Sequence, residues 1–269
     1  MIRRSLAGST ARLIGYVVRD VARSRWLLGY ALVLVAVTDI LFRFGGVQPN
    51  ALLGAMNLAL LIVPLVSLVF GAAYVYDGRE FIELLLAQPL GRPRLFAALY
   101  LGLTLPLIAA FAVALVLVGL IHAVWSSPLG ATLATLLSLG AVLTAVFTAI
   151  AVLVAIRVQD KVRGLGVAIG LWLLAAVLYD GVVLVLTTMF ADQPLERPLL
   201  ALMVANPIDL ARVLLLLQFD TPALMGYTGA TFRQFFGDAT GLAVASTALA
   251  LWIALPAWRG VRAFQRKDF

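Results

Sequence analysis

The sequence predicts an all-α integral membrane protein of six transmembrane helices, and three observations predict it. Six apolar stretches separated by short polar breaks fill most of the 269 residues. Hydrophobic residues make up 63% of the chain against 12% charged, with a mean hydropathy of +1.06. Lys and Arg gather on one side of the successive stretches. A bilayer core of about 30 Å needs roughly 20 apolar residues rising about 1.5 Å each. In lipid the backbone must bond to itself, so helices are the expected spanning form, and barrel strands, which alternate over about ten residues, do not fit segments this long and uniform.

The chain opens with an amphipathic segment. Between residues 11 and 25, Leu13, Ile14, Val17, Val18 and Val21 recur at three and four, while Arg12, Arg19, Arg23 and Arg25 take other positions, the pattern of an elbow helix lying in the membrane interface. It includes Asp20, and no short apolar core with a small-residue cleavage site follows, so it does not read as a cleaved signal. It serves either as an orientation anchor or as a docking element. Spans follow near residues 26–42, 51–76, 95–123, 129–156, 165–189 and 241–258. Of 20 Lys and Arg, six fall in the N-terminal segment, three in 79–94, three in 157–163 and four in the tail. The other side holds only Arg43, Arg197, Arg212 and Arg233. Basic residues accumulate in short cytoplasmic loops, so both termini are predicted to be cytoplasmic. The formal charge of +7 and pI near 10.2 then reflect membrane lipid headgroups rather than nucleic acid, for which no aromatic-interleaved basic groove is present.

Candidate chemistry within the spans is sparse. The absence of Cys excludes disulfides and thiolate metal sites. His122, the single histidine, sits beside Trp125 at the outer end of the third span, where an aromatic belt belongs. Met189, Met203 and Met225 fall near the same side but form no Met-x-x-Met cluster, so packing is their expected use. Asp39 and Arg43 lie four apart and pair on a helix. Asn57 and Asp180 have no such explanation, and an intramembrane charge is a functional candidate by default. A proton relay, however, needs several such groups along the membrane depth. Pro64, Pro106 and Pro256 are places for kinks, and Gly166 with Gly170 makes a small-xxx-small patch suited to close helix contact.

The connections hold the interpretable polar chemistry. In YVYDGREFIELLLAQPLGRPRLF, Asp77 and Gly78 precede Arg79, Glu80 and Glu83, interleaved with Phe81, Ile82 and Leu84 to Leu86 and closed by Pro89 and Pro93. This predicts a short amphipathic helix with acidic residues in its first turn, where the dipole favours them. The second connection, RVQDKVRG, contributes Arg157, Asp160, Lys161 and Arg163. Either is a solvated link or a docking surface, and an exposed run such as FIELLLA asks for a cover. The longest connection, 190–240, contains ANPIDLARVLLLLQ. Asn206 is an N-cap there, Pro207 the first helical position and Asp209 a first-turn acid. Its apolar run is too short to span and reads as a re-entrant or interfacial helix. GYTGATFRQFFGD, with Tyr227 and Arg233, follows as a glycine-punctuated turn. The segment is expected to be a lid or a platform for an external partner.

At these residues the chain resembles the permease subunits of ABC-2-type transporters: an elbow helix, six spans, a cytoplasmic helix between spans two and three, and short helices before span six. YDGREFIELLLAQPL, NPIDLARVLLLLQ and LMGYTGATF look like the NosY-type permeases of systems that mature nitrous oxide reductase. The resemblance runs over essentially the whole chain. It implies one transmembrane domain over 1–269, with an elbow at 1–25, a coupling loop at 77–94, a periplasmic or re-entrant segment at 190–240 and a cytoplasmic tail at 259–269. It implies a homodimer in the bacterial inner membrane, bound on the cytoplasmic side by two NosF-like ATPase subunits and on the periplasmic side by a NosD-like protein, with a copper chaperone reached through it. Asp77, Gly78, Arg79, Glu80, Glu83, Arg157, Asp160, Lys161 and Arg163 would meet the ATPase. Asn206, Pro207, Asp209, Arg212, Tyr227 and Arg233 would meet the periplasmic partner. ATP and Mg would sit on the ATPase, since the chain has no G-x-x-x-x-G-K-[ST] to cradle phosphates, and it would bind no cofactor or metal itself. The role would be maturation of the reductase's copper-sulfur centre, by export of a sulfur species or by mechanical transmission.

Three other classes are weighed beside it. An ABC-2-type exporter of another small or lipid-like substrate keeps the same architecture. A secondary carrier predicts ion-driven transport without nucleotide and an essential Asp180. An intramembrane enzyme needs a catalytic constellation, and HExxH, GxSxG and paired intramembrane aspartates are missing from the sequence.

Overall fold

A computed structural model describes residues 2–86, 91–190, 196–217 and 239–266. Among them there are helices and turns and no strand. In chain order the helices are α1 (Ile2–Ala22), α2 (Arg25–Gly45), α3 (Pro49–Asp77), α4 (Arg79–Leu86), α5 (Arg92–Ile121), α6 (Gly130–Arg157), α7 (Lys161–Leu173), α8 (Tyr179–Met189), α9 (Glu196–Ala205), α10 (Pro207–Leu216) and α11 (Ala239–Arg266). A π-helical turn, Leu174–Leu178, joins α7 to α8. Among the described residues, six helical stretches are long and apolar enough to cross a membrane, as the sequence predicts, with α7 to α8 acting as one span.

Local chemistry sets the breaks. Ser24 caps α2 by accepting from the Trp26 amide at 3.3 Å, which ends the amphipathic segment one turn earlier than its pattern suggests. Gly46, at φ +65°, closes α2 in a left-handed conformation that suits glycine. Pro49 then opens α3 in its first turn, where its missing amide costs nothing. Pro64, Pro106 and Pro256 lie inside α3, α5 and α11, and each helix continues through its proline.

The core is α6 surrounded by α3, α5 and α11. Of its most apolar stretch, 72% is buried. Its buried Thr144 hydroxyl donates back to the Gly140 carbonyl at 2.8 Å, and Thr104 of α5 does the same to Tyr100 at 2.7 Å, so these polar groups need no interhelical partner. The amphipathic α1 lies on α5. Val17 sits so close to Gly102 that a Cβ there would fall 2.4 Å from Val17 Cγ1. The apolar face of α1 is therefore taken up by this chain.

The fifth span is peripheral. Beyond Ala168 none of its residues is buried. It touches the bundle mainly through α3, where Trp172 Nε1 donates to the Leu61 carbonyl at 3.0 Å. The sixth span, expected to stop near residue 258, continues as α11 to Arg266. Phe264 packs on Phe96 at 6.3 Å, and Arg92 donates to the Gln265 carbonyl at 2.8 Å. Much of the expected tail is thus helix pinned to the start of α5.

Alternation of the spans gives the bundle two ends. The basic end collects α1, α4, the start of α5, the α6–α7 junction and the end of α11. The far end collects the α2–α3 and α5–α6 turns and the pair α9–α10.

Candidate functional site

Two polar clusters lie at opposite ends of the molecule. At the basic end, the two short connections form one unit. The Gly78 amide closes α3 on the Tyr74 carbonyl at 3.0 Å, and α4 starts at the next residue. Ile82 and Leu85 face inward, which turns Phe81, Glu80, Glu83 and Leu84 out. A helix end leaves four carbonyls without partners, and Arg79 supplies donors at the end of α6. Its guanidinium bonds the carbonyls of Ala155 at 3.2 Å and Val158 at 3.0 Å, and also that of Gln159. It lies 4.7 Å from the Tyr76 ring centre, and the Tyr76 hydroxyl bonds Val158 O at 3.0 Å as well. Lys161 pairs with Asp77. Asp160 caps α7 through the Arg163 amide at 2.7 Å. Tyr76 rests on Gly164, where any Cβ would collide with its hydroxyl.

Of the nine residues expected at this end, Arg79 and Asp160 thus have structural work within the chain. Asp77 and Lys161 join the two connections, Gly78 is the joint between α3 and α4, and Arg157 is exposed in the last turn of α6, where the dipole favours a cation. Also open to solvent are Phe81 and Leu84, the latter at 68% exposure, with Glu80 and Glu83 on α4, and Val162, at 78%, with Arg163 on α7. Val162 carried no signal in the sequence beyond being apolar in a charged loop.

At the far end, α9 and α10 meet at 109°, with Asn206 at the corner. Asn206 is 2% exposed. Its Oδ1 accepts from the Ile208 amide at 3.1 Å, the cap read from the sequence, while its Nδ2 donates to the Ala175 carbonyl at 2.8 Å and to Asp209 Oδ2 at 3.0 Å. Ala175 belongs to the π turn, whose widened register leaves carbonyls for such a donor. Arg212 bridges Asp180 at 2.7 Å and Asp209 at 3.2 Å. The Tyr179 hydroxyl donates to Leu202 O at 2.6 Å, and Trp252 Nε1 of α11 to Val204 O at 3.1 Å. Two carboxylates therefore share one guanidinium, with an amide completing the network.

Of the residues expected to meet a periplasmic partner, three are engaged within the chain. Asn206, Pro207 and Asp209 are buried, because the first turn of α10 turns its polar groups to the fifth span and its apolar residues to the core. Arg212 is partly open. Tyr227 and Arg233 lie outside the described residues. Asp180, unexplained in the sequence, is explained by Arg212. A third cluster joins α2 to α5: His122 Nε2 lies 2.8 Å from Asp39 Oδ1, Phe42 stacks on the imidazole, and Arg43 reaches Asp39 at 3.3 Å. Met203 is buried and Met189 exposed, and Met225 is outside the described residues. Among the described residues no group of three or more His, Asp or Glu is placed to hold a metal.

The six-span helical domain is that of a membrane protein, and the family model of the ABC-2 family transporter proteins matches residues 46–269. The chain belongs to that family. It is a permease without catalytic activity of its own, serving an ABC transporter whose ATP is bound by a partner ATPase. Relatives include the probable ABC transporter permease protein NosY of Pseudomonas aeruginosa, 28% identical over 257 residues, and the protein of the same description from Stutzerimonas stutzeri, 27% identical over 260 residues. In both comparisons 90% of each chain is covered.

Proposed function

We propose that this permease transmits work from ATP turnover at its basic end to its far-end hairpin, and that it does so in a NosY-like system maturing the copper-sulfur centre of nitrous oxide reductase. The observation that carries the reading is the chain of direct bonds along the fifth span. Its first turn is tied to α3 and α4 through the Lys161–Asp77 pair and the capped α6 end. Its π turn and α8 are tied to α9 and α10 through Asn206, Tyr179 and Arg212. A push on α4 and the start of α7 therefore has a continuous route to the opposite end, as rigid-element coupling requires. Asp180, Asp209 and Arg212 are engaged with one another, as are Asp39, Arg43 and His122, which favours mechanical transmission over passage of a sulfur species.

In this reading the basic end faces the bacterial cytoplasm, and the exposed side chains Phe81, Leu84 and Val162, with Glu80 and Glu83, receive a NosF-like ATPase. A second copy of the chain covers the unburied fifth span. The far-end hairpin hands its motion to a NosD-like periplasmic protein. Asn206, Asp209 and Arg212 act as positioning residues that hold α10 against the fifth span. The test is co-expression with the ATPase and the periplasmic partner. Glu80→Lys with Glu83→Lys is expected to abolish coupled ATPase stimulation and reductase maturation while the chain still inserts. Ion-driven transport by the isolated chain, without nucleotide, would sink the reading.

A further inference from the structure

We propose that the outward face of α1 binds the headgroup of an anionic phospholipid from the leaflet at the basic end, and that the bound lipid acts on α4 through Tyr16. This rests on the orientation and on the coupling role of α4 given above. A cleft of about 540 Å³ runs along α1 and is lined, among the described residues, by Arg12, Gly15, Tyr16, Arg19, Asp20 and Arg23. Spacings of four, three and four from Arg12 through Tyr16 and Arg19 to Arg23 put these side chains on one face. Val17 and Val21 hold the opposite face against the chain, so the arginine face is locked outward.

The chemistry favours an anion. Arg19 and Arg23 have no acidic partner among the described residues, and the acid in the cleft, Asp20, is engaged by the Tyr74 hydroxyl at 2.8 Å. Guanidinium groups match phosphate oxygens in planar, two-point geometry. The floor is open at Gly15, where an added Cβ would meet nothing within 4 Å.

The level of the cleft favours lipid over a soluble anion. Trp26, at 79% exposure, stands at the base of α2 just beyond Arg23, and Trp258 stacks under Arg262 at 3.7 Å near the base of α11. Exposed tryptophans of this kind mark the headgroup zone, where clustered arginines attract anionic lipid. The Tyr16 ring stacks on Phe81 at 5.8 Å, so an occupant of the cleft lies one side chain from α4.

The experiment uses the complete transporter, this chain with its ATPase, in phosphatidylcholine vesicles with or without phosphatidylglycerol. Phosphatidylglycerol is expected to raise ATPase turnover several-fold and to be retained by the purified complex in native mass spectrometry. Arg19→Gln with Arg23→Gln, and separately Gly15→Trp, which fills the cleft without changing charge, are expected to remove both effects while basal turnover and ATPase binding persist. Tyr16→Ala should keep the lipid and lose the stimulation. Undiminished stimulation in both cleft variants would overturn the proposal, as would equal stimulation by inorganic phosphate in phosphatidylcholine vesicles. Loss of the ATPase from the arginine variant would also overturn it, by making the face a protein contact. Failure of the coupling reading is separate: it shows as Glu80 and Glu83 variants that couple normally.

Discussion

Single residues here hold several elements at once, and Asn206 most of all. It caps α10, bonds the π turn and steadies Asp209. Loss of a cap costs about 1 kcal/mol, and stranding a buried acceptor adds about 1–3 kcal/mol. Asn206→Ala is therefore expected to destabilise the chain by about 2–4 kcal/mol, read as the thermal unfolding shift of the solubilised protein. Asn206→Asp separates the roles. Aspartate caps as well as asparagine does, but it loses the donor to Ala175 and puts a third carboxylate beside one arginine. It should be worse than alanine, whereas a residue that only capped would leave Asp at wild-type stability. Arg79→Lys makes a parallel case at the basic end, because an ammonium cannot reproduce a planar fork across three carbonyls. An unfolding loss of about 1–2 kcal/mol is expected, and unchanged stability would remove Arg79 from the α6 cap.

Among the elements, the long helices were legible because periodic or continuous apolar runs dominate their sequence, and α4 and α10 because caps, prolines and first-turn acids announce short helices. The π turn was not legible. LAAVL is an ordinary helical string, and the widened turn is recognised only through Asn206, which is thirty-one residues away in sequence. For the same reason the Asp180–Arg212 pair was hidden, since both residues read as isolated charges until the fold brings them together. The short apolar run marked α10 as re-entrant or interfacial, and α10 is nearly all buried at a 109° corner with α9, covered by four neighbouring elements, which suits the re-entrant alternative. Deleting Ala176 tests the π turn as an element. Removing one residue restores a regular helix with α8 close to its present phase, because a π turn holds one extra residue, and returns the carbonyl that receives Asn206 to the helix's own ladder. If the proposed function holds, the outcome is a folded, ATPase-binding permease in which coupling of ATP turnover to the far end is lost. Wild-type behaviour of the deletion would mean that the π turn and its bond to Asn206 carry nothing.

For the whole molecule, the decisive feature is a span with nothing over it. From residue 169 to 189 the fifth span has no buried side chain, while the fourth is mostly buried. Lipid could cover the apolar side chains, but two further observations call for protein. Asn57 is exposed inside α3, one turn from Leu61, whose carbonyl receives Trp172; an amide facing hydrocarbon needs a partner. Gly166 and Gly170 also find no atom within 4 Å of an added Cβ, although small residues spaced by four serve close helix approach. A second copy meeting these surfaces about a two-fold axis satisfies both. Because the chain contains no Cys, single cysteines report this without background. Gly170→Cys and Val177→Cys are expected to cross-link between copies in native membranes, and Leu117→Cys, exposed on α5, is not. Asn57→Leu should lower the dimer fraction in mild detergent. A monomeric chain that still binds its ATPase, with no cross-link along the fifth span, would leave that face to lipid and end the dimer reading.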